Sequence, residues 1–510
     1  MIQFTFPILL ISTLIPLVLC LPLSLLGDRL RGRTIAVISF ILLAIPLATY
    51  LVIILKFGLG VGTIDPAYFA HPFVGSFSML FDSLSAPFAL GIAIITPFVA
   101  LYSHPYMRHR IEEMREEGLS VPSLGTFYAL YTMFAAAMLG TVLSTNLLEF
   151  YIFLELTLIP SFLLIAIYGY GERVKIAYMY LLWTHIGALV FLFGILYLGI
   201  SVGTFDILNM QSLTINQALG AGLPMFILVA IVVGLLFKMA TFGVHIWLPY
   251  AHAEAPTPIS ALLSPNLIGI SGYALVRIGG FLFPIQFKAI SIYLMGLAFL
   301  TAIYGGLMAL AQDDFKRMLA YSSISQMGWL LLGISTLTAD GITGSMLLYL
   351  THAFGKSVLF MTAGVIIVRF NGLRSISKMG GLISKVPKVA GLSLIGFMFL
   401  VGIPPTLGLW SKILIIIGIF NIPGAMNPIG FLVLVIVLIL AAGVTAVYSF
   451  VTLKRVFLGD LADGIGEPSK EGWSIMTGIM AIIAGIGVAF FFYPNIIINP
   501  LKELLSTILV

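Results

Sequence analysis

The chain has 510 residues, of which 60% are hydrophobic and only 9% are charged, whereas soluble domains carry about 25% charged residues. This composition excludes a soluble fold of this size, a disordered chain, a nucleic-acid-binding protein and a secreted disulfide scaffold. The net charge of +5 is that of a membrane protein with basic loops. The single cysteine, Cys20, cannot by itself build an iron–sulfur cluster or a structural zinc site.

Fourteen apolar segments have roughly the length of about 20 residues that a helix needs to cross a membrane. They are too long and too continuously apolar for the strands of a membrane barrel. The sequence therefore predicts an all-α polytopic membrane protein with about 14 transmembrane helices. The first segment follows no basic leader, so we expect it to be retained. The segments are 6–27, 35–55, 79–102, 124–143, 147–169, 176–200, 223–247, 259–280, 289–310, 318–337, 342–368, 388–420, 428–453 and 473–495.

The basic residues predict the orientation of these helices. With the N-terminus outside, 18 lysine and arginine residues fall on the inside and 4 on the outside. The inside set includes Lys316 and Lys470, and the outside set includes Arg277. Because inside loops are enriched in Lys and Arg, we expect a multi-pass protein of the cell membrane with both termini on the outer side.

Two segments are interrupted by glycine and proline, at 238–258 (KMATFGVHIWLPYAHAEAPTP) and at 402–412 (GIPPTLGLWSK). Broken helices at membrane depth line a buried or hydrated cavity. The breaks fall in the seventh and twelfth segments, and this odd spacing predicts two inverted five-helix repeats. The expected units are helices 1–3 in 1–120, a first repeat in 121–282, a second repeat in 283–458, and a C-terminal loop and helix in 459–510.

Charged side chains inside the predicted helices indicate an ion pathway, since a charge at the membrane centre costs about 2.5–3.5 kcal/mol. Lys238, Lys356, Lys412, Glu149 and Glu155 lie in apolar segments. For any one of them the alternative is a structural ion pair or a lysine that reaches the membrane surface. Glu155 and Lys238 are a candidate switching pair across two helices.

Histidines extend this pattern, because imidazole suits proton relay. His352 and Lys356 are four residues apart and share a helix face. His245 shares the face of Lys238 only if the helix continues through the break. We interpret the isolated His185 as a hydrogen-bonded core residue.

Two acidic residues near helix ends leave two interpretations open. Glu149 either lines an access route or belongs to a capped helix end after Asn146. Asp82 is either a helix cap or a tertiary contact.

Five stretches resemble the antiporter-like subunits of respiratory complex I and its relatives. This superfamily includes the M-, N- and L-type subunits of NADH–quinone oxidoreductase, the D and A subunits of Mrp antiporters, and subunits of membrane-bound hydrogenases. The resemblance covers about residues 80 to 460 and implies fourteen helices with two inverted five-helix repeats. The stretches are NLLEFYIFLELTLIPSFLLIAIYG, FKMATFGVHIWLPYAHAEAPTPISALL, ALAQDDFKRMLAYSSISQMGW, LTHAFGKSVLF and GIPPTLGLWSK.

The resemblance also implies roles for individual residues. Glu155 matches the family's fifth-helix glutamate and Lys238 its seventh-helix lysine. The implied proton relay consists of Glu155, Lys238, His245, His352, Lys356 and Lys412, with Glu149, His252, Glu254 and Asn266 as access or supporting residues.

The chain departs from the family at one position. Gly269 stands where the family usually has an eighth-helix lysine. Bridging water held by Asn266, Ser264 or Ser271, or a different route, are the open alternatives. Lys412 is glutamate in M-type subunits and lysine in N-type and Mrp D-type ones, which favours the Mrp D-type and hydrogenase-type branch.

The implied function is a proton- or cation-translocating subunit of a redox-driven respiratory or hydrogenase-type complex. This chain is expected to carry no cofactor and no catalytic redox centre, and flavin, Fe–S or Ni–Fe centres are expected in partner subunits. The alternative is a D-type subunit of a multisubunit Na+/H+ antiporter, driven by the proton gradient alone.

Overall fold

The computed structural model describes residues 1–27, 29–211, 222–422, 428–462 and 474–508. Lys470 and the start of the fourteenth segment at 473 lie outside these ranges. The helices are α1 (Ile8–Leu26), α2 (Gly32–Phe57), α3 (Ala86–Glu116), α4 (Leu124–Leu143), α5 (Leu147–Tyr168), α6 (Arg173–Val202), α7 (Ile207–Gln211), α8 (Leu223–Met239), α9 (Trp247–Glu254), α10 (Thr257–Leu262), α11 (Ile268–Ala274), α12 (Pro284–Leu310), α13 (Phe315–Ser335), α14 (Ala339–Arg369), α15 (Pro387–Val401), α16 (Gly408–Phe420), α17 (Pro428–Phe457), α18 (Ile475–Phe492) and α19 (Asn495–Ile508).

The polytopic helical fold predicted from the sequence is confirmed, and each of the fourteen segments contains a helix. Within the described ranges, eleven helices are long and apolar enough to cross a membrane. The other three segments are α13 and the two broken helices. The amphipathic α19 and two short 3-10 helices, Ile376–Lys378 and Leu382–Ser384, were not predicted.

Five short strands were also not predicted. They are β1 (Ile2–Gln3), β2 (Thr63–Ile64), β3 (Phe69–His71), β4 (Gly75–Phe77) and β5 (Leu80–Phe81). Strand β2 pairs in parallel with β1 and antiparallel with β5, while β3 and β4 form an antiparallel pair. Strand β5 occupies the start of the predicted third segment, so α3 begins at Ala86 rather than at 79.

Helix α3 continues into the charged run RHRIEEMREE at 108–117 and ends at Glu116. Arg110 is buried and donates hydrogen bonds to the backbone oxygens of Tyr168 at 3.3 Å and Gly169 at 2.6 Å. The run is therefore helical, and it is attached to the end of α5.

Both predicted helix breaks are present. Helix α8 ends at Met239, Ala240 adopts a left-handed φ of 56°, and α9 starts only at Trp247. Helix α15 ends at Val401, and Gly402 has a φ of 87°. A Cβ at Gly402 would lie 2.9 Å from the backbone oxygen of Gly408, so glycine is required there.

The centre of the fold is formed by the eighth helix and α14. The eighth helix, Thr257–Gly280, is 100% buried and the apolar window of α14 is 94% buried, against 33% for α1, α2 and α17. The eighth helix contains two π-helical turns, Leu263–Leu267 and Leu275–Gly280. Such turns occur often at functional sites, and the sequence did not predict them.

Candidate functional site

Glu155 on α5 is paired with a histidine on α6. Its Oε2 lies 2.8 Å from Nδ1 of His185, and its Oε1 is buried without a hydrogen-bond partner among the described residues. The His185 side chain is 45% exposed and that of Glu155 is 20% exposed. His185 is hydrogen-bonded, as expected, but its placement in the core is wrong: it lies at the surface of the helix bundle and holds the candidate carboxylate.

Lys238 lies in the last turn of α8, next to the first break, and is only 3% exposed. Its ammonium has no hydrogen-bond partner in the described part of the chain. Glu155 is the acidic residue whose charge acts on it, but no ion pair within 4.0 Å joins the two, since the carboxylate is bonded to His185. The switching pair thus stays a prediction, with the two groups separated in this state.

His245 lies in the break itself. Because α8 ends at Met239, the helical face that His245 was expected to share with Lys238 does not continue. Its Nε2 is 3.2 Å from the hydroxyl of Tyr304 on α12, and its Nδ1 is buried without a partner among the described residues. The break therefore leaves Nδ1 of His245 buried in the bundle and available for a further hydrogen bond.

His252 and Glu254 lie beyond the break, on α9. His252 is completely buried, and its ring stacks on Phe360 of α14 at 5.0 Å. Neither ring nitrogen has a hydrogen-bond partner in the described ranges. His252 therefore lies at the contact between α9 and α14, with both ring nitrogens available for further hydrogen bonds.

Lys316 is a functional candidate that the sequence reading missed. It was assigned to an inside loop, yet it is completely buried at the start of α13. Its ammonium donates to the backbone oxygens of Ala253, at 3.1 Å, and Ala255. These carbonyls belong to the end of α9, so the lysine stabilises the negative end of that helix dipole.

The eighth helix contributes Ser264 and Asn266 from its first π turn. Nε2 of His352 donates to the backbone oxygen of Ser264 at 3.1 Å, which leaves Nδ1 as an acceptor without a partner among the described residues. The amide oxygen and nitrogen of Asn266 are buried and likewise have no described partner. Buried polar groups of this kind bind ordered water.

Helix α13 joins the eighth helix to the two remaining lysines. Lys356 is completely buried and donates to the backbone oxygen of Leu319, at 2.6 Å, and to the hydroxyl of Ser322. The neighbouring Ser323 lies 2.6 Å from the hydroxyl of Ser264. Hydroxyls of this kind both donate and accept, so α13 forms a polar wall that sequence reasoning had not assigned. The sequence signal for this wall was the spacing of Leu319, Ser322, Ser323 and Gln326, which places the four residues on one helix face.

Lys412 lies beside the second break. Its ammonium donates to the backbone oxygens of Leu400 at 2.7 Å and Val401 at 2.9 Å, the last carbonyls of α15. It also lies 5.0 Å from the centre of the Trp329 ring on α13. The lysine thus stabilises the helix end that the break leaves without backbone donors.

Glu149 lies in the first turn of α5, after Asn146, which caps the helix by accepting from the Leu148 N–H at 2.9 Å. The carboxylate is buried and accepts a hydrogen bond from the hydroxyl of Tyr68, while its Oε2 has no described partner. The helix end is therefore capped, and the glutamate is held next to the strands between α2 and α3.

Asp82 and Arg277 form a buried ion pair between the start of α3 and the second π turn. The Nη2 of Arg277 lies 2.6 Å from both carboxylate oxygens, and Asp82 also accepts the backbone N–H groups of Leu84 and Ser85. Asp82 is thus a tertiary contact that also holds the turn before α3, whose N-cap is Ser85. Arg277, counted among the outside loop charges, is instead buried.

The family model described as NADH:quinone oxidoreductase/Mrp antiporter, TM, matches residues 144–440, which is more than half of the chain and contains every candidate relay residue. The chain belongs to this family. The resemblance inferred from its motifs is confirmed.

A curated relative and two solved structures match most of the chain. The F(420)H(2) dehydrogenase subunit M of Methanosarcina mazei is 34% identical over 84% of this chain and 83% of its own length. In the respiratory complex I structure from Thermus thermophilus, a chain matches with a TM-score of 0.81 and 26% identity, over 98% of this chain and 100% of that one. A chain of the Mrp complex from Dietzia also has a TM-score of 0.81, at 20% identity over 98% and 97% of the two chains, which shows the fold alone.

Proposed function

We propose that this chain is the ion-translocating membrane subunit of a redox-driven multisubunit complex. Protons move through the interior of the bundle along the titratable groups Glu155, Lys238, His245, His352, Lys356 and Lys412. Glu149, His252, Glu254 and Asn266 are access or supporting groups.

The observation that carries this proposal is the series of buried titratable groups that runs from one broken helix to the other. Lys238 and His245 lie at the first break, and Lys412 lies at the second. Helix α13 links them, since its face contacts Ser264, Lys356 and Lys412. Buried charges are costly in a membrane and are retained where they conduct ions.

The pair at the start of the series supports a switching mechanism. Glu155 is bonded to His185 rather than to Lys238 in this structure. In the proposed mechanism the carboxylate alternates between His185 and the ammonium of Lys238. A change of charge in a neighbouring subunit shifts the balance between the two pairings and drives a proton toward the interior or back to the bundle surface.

The chain is organised as two repeats between two terminal units. Residues 121–282 and 283–458 form two inverted repeats, each with one broken helix, between an N-terminal unit (1–120) and a C-terminal unit (459–510). Both termini face the outer side of the cell membrane. The matching positions of the breaks at 240–246 and 402–407 support this arrangement.

The proposed function requires partner subunits. The relatives named above are a subunit of a dehydrogenase and a chain of respiratory complex I. This chain therefore acts together with other membrane subunits. Flavin, iron–sulfur or nickel–iron centres reside in those partners and supply the electron transfer that drives ion movement.

A D-type subunit of a Na+/H+ antiporter is the second candidate, favoured by Lys412 and by the shared fold of the Mrp chain. The 34% identity to a dehydrogenase subunit favours the redox-driven complex. The two functions differ in their energy source, because an antiporter needs only an ion gradient.

The test is to purify the native complex in mild detergent, identify its subunits, and record optical and metal spectra. We expect co-purifying subunits with flavin, iron–sulfur or nickel signals in a stable assembly. A metal-free and flavin-free assembly of membrane subunits that exchanges Na+ for H+ would contradict redox coupling and establish the antiporter.

A further inference from the structure

The middle of the pathway contains a contact between the eighth helix and α14 that no assigned role explains. A Cβ at Gly269 would lie 2.3 Å from Cδ2 and 2.6 Å from Cε2 of Tyr349. The tyrosine ring therefore occupies the space that any side chain at position 269 would need. The ring also packs against Phe88 of α3, with the ring centres 4.1 Å apart and the planes tilted by 35°.

The hydroxyl of this tyrosine is isolated from the protein. Tyr349 is completely buried, and its oxygen has no hydrogen-bond partner among the residues that the structure describes. A buried phenol normally finds a partner, as Tyr131 does by donating to the backbone oxygen of Thr96 at 2.7 Å. An apolar residue would fill the space at less cost, so packing alone does not account for a hydroxyl here.

Three contacts fix the register between the two central helices. Ser357 donates to the backbone oxygen of Ala261 and His352 to that of Ser264, while the Tyr349 ring contacts Gly269. The residue numbers rise on one helix as they fall on the other, so the helices are antiparallel.

Asn266 lies between Ser264 and Gly269, and therefore at the height between His352 and Tyr349. These three residues carry the isolated polar atoms of this layer: both amide atoms of Asn266, Nδ1 of His352 and the hydroxyl of Tyr349, none with a partner in the described ranges. Tyr349 and His352 are three residues apart and share a helix face. Asn266 belongs to the π turn at Leu263–Leu267, and such turns occur often at functional sites.

We propose that Tyr349, Asn266 and His352 hold a short chain of water molecules, and that the Tyr349 hydroxyl carries protons past Gly269. This inference rests on the proposed function. The phenol accepts a hydrogen bond from one water and donates to the next; as a proton arrives on its oxygen, its original proton leaves. One O–H bond forms and one breaks, so the tyrosine stays neutral and the proton is passed toward Nδ1 of His352, the acceptor in this layer.

The first test is Tyr349→Phe in the native complex, reconstituted in proteoliposomes with its partner subunits. Proton uptake is followed by ACMA fluorescence, and electron transfer is driven by NADH or by dithionite-reduced methyl viologen, whichever the complex oxidises. We expect the number of protons moved per electron to fall by about tenfold or more, because transfer through a positioned group typically contributes on the order of 10²–10⁴ in rate.

The matched control is Tyr131→Phe, which removes a buried hydroxyl that is bonded to the backbone, and it should leave protons per electron unchanged. A second variant, Asn266→Leu, removes two polar atoms of the same layer and should show the loss seen in Tyr349→Phe. A hydroxyl that serves only packing would change the thermal stability of the complex but not its protons per electron.

Glu155→Gln separates this inference from the proposed function. If Glu155→Gln abolishes pumping while Tyr349→Phe and Asn266→Leu pump normally, the water chain is refuted and the proposed function stands. If Glu155→Gln itself pumps normally, the relay and the inference that rests on it both fail.

Discussion

The buried ion pair between Asp82 and Arg277 gives a prediction whose magnitude follows from its geometry. Both carboxylate oxygens lie 2.6 Å from Nη2 of Arg277, and the two side chains are only 10% and 5% exposed. Removal of either partner leaves the other charge buried, which costs about 3–5 kcal/mol. We therefore expect Asp82→Ala and Arg277→Met each to lower the free energy of unfolding by about that amount.

The two single variants should differ in a defined way. Asp82 also accepts the N–H groups of Leu84 and Ser85, at 3.2 and 2.9 Å, and loss of hydrogen bonds of this kind costs about 1 kcal/mol. Asp82→Ala should thus be the more damaging change. The double variant leaves no unpaired charge and should lose only about 1–2 kcal/mol, close to the cost of these hydrogen bonds.

The assay is equilibrium unfolding in mixed micelles of a mild detergent and SDS, followed by tryptophan fluorescence, for the two single variants and the double variant. Additive losses would refute the reasoning, because they would mean that the two charges do not stabilise each other.

Three further predictions concern His185 on α6, Lys412 beside the second break, and the loop that contains Asp313. The His185→Asn variant should leave the free energy of unfolding unchanged, because the side chain is half exposed. Because His185 holds Glu155, the same variant should lower the number of protons moved per electron in proteoliposomes by about tenfold. Lys412→Met should lower the free energy of unfolding by about 2–3 kcal/mol, since two charge-assisted hydrogen bonds to the end of α15 are lost; SDS unfolding that matches the wild type would contradict this. Hydrogen bonds from the Ser375 hydroxyl and the Ser377 N–H hold the pKa of the Asp313 carboxyl below its usual value. The carboxylate therefore anchors this loop above the ordinary carboxyl pKa, and the anchor weakens as pH falls through the lowered value. Hydrogen exchange of the Ser377 amide, corrected for intrinsic rates, should accelerate in Asp313→Ala at neutral pH and in the wild type only in acid; equal exchange at neutral pH would contradict the anchor.

Features that depend on local chemistry were predictable from the sequence. The two breaks were predicted from clusters of glycine, proline and polar residues at 238–258 and 402–412 in otherwise apolar runs, which favour an interrupted helix. The lysines at 238, 356 and 412 stand out because the surrounding residues are apolar, and the structure shows all three to be buried. The family motifs added the match to Glu155, which composition alone did not provide.

Features that depend on tertiary packing were not predictable. Counting basic residues by loop assigned Lys316 and Arg277 to the membrane surfaces, because such a count treats every charge near a helix end as solvated. Both are buried, and their partners lie 61 and 195 residues away in the chain. The pairing of Glu155 with His185 has the same origin, since it depends on how α5 packs against α6. The π turns also require contacts across helices, and no residue pattern specifies them.

The central claim is that buried titratable groups carry protons through this subunit, and Glu155→Gln in the reconstituted native complex tests it most directly. The matched control is Glu172→Gln, since the Glu172 side chain is 69% exposed and pairs with Lys175 at the surface. We expect Glu155→Gln to assemble normally and to lose about tenfold or more in protons moved per electron, while Glu172→Gln pumps like the wild type. Pumping by Glu155→Gln at the wild-type ratio would contradict the account.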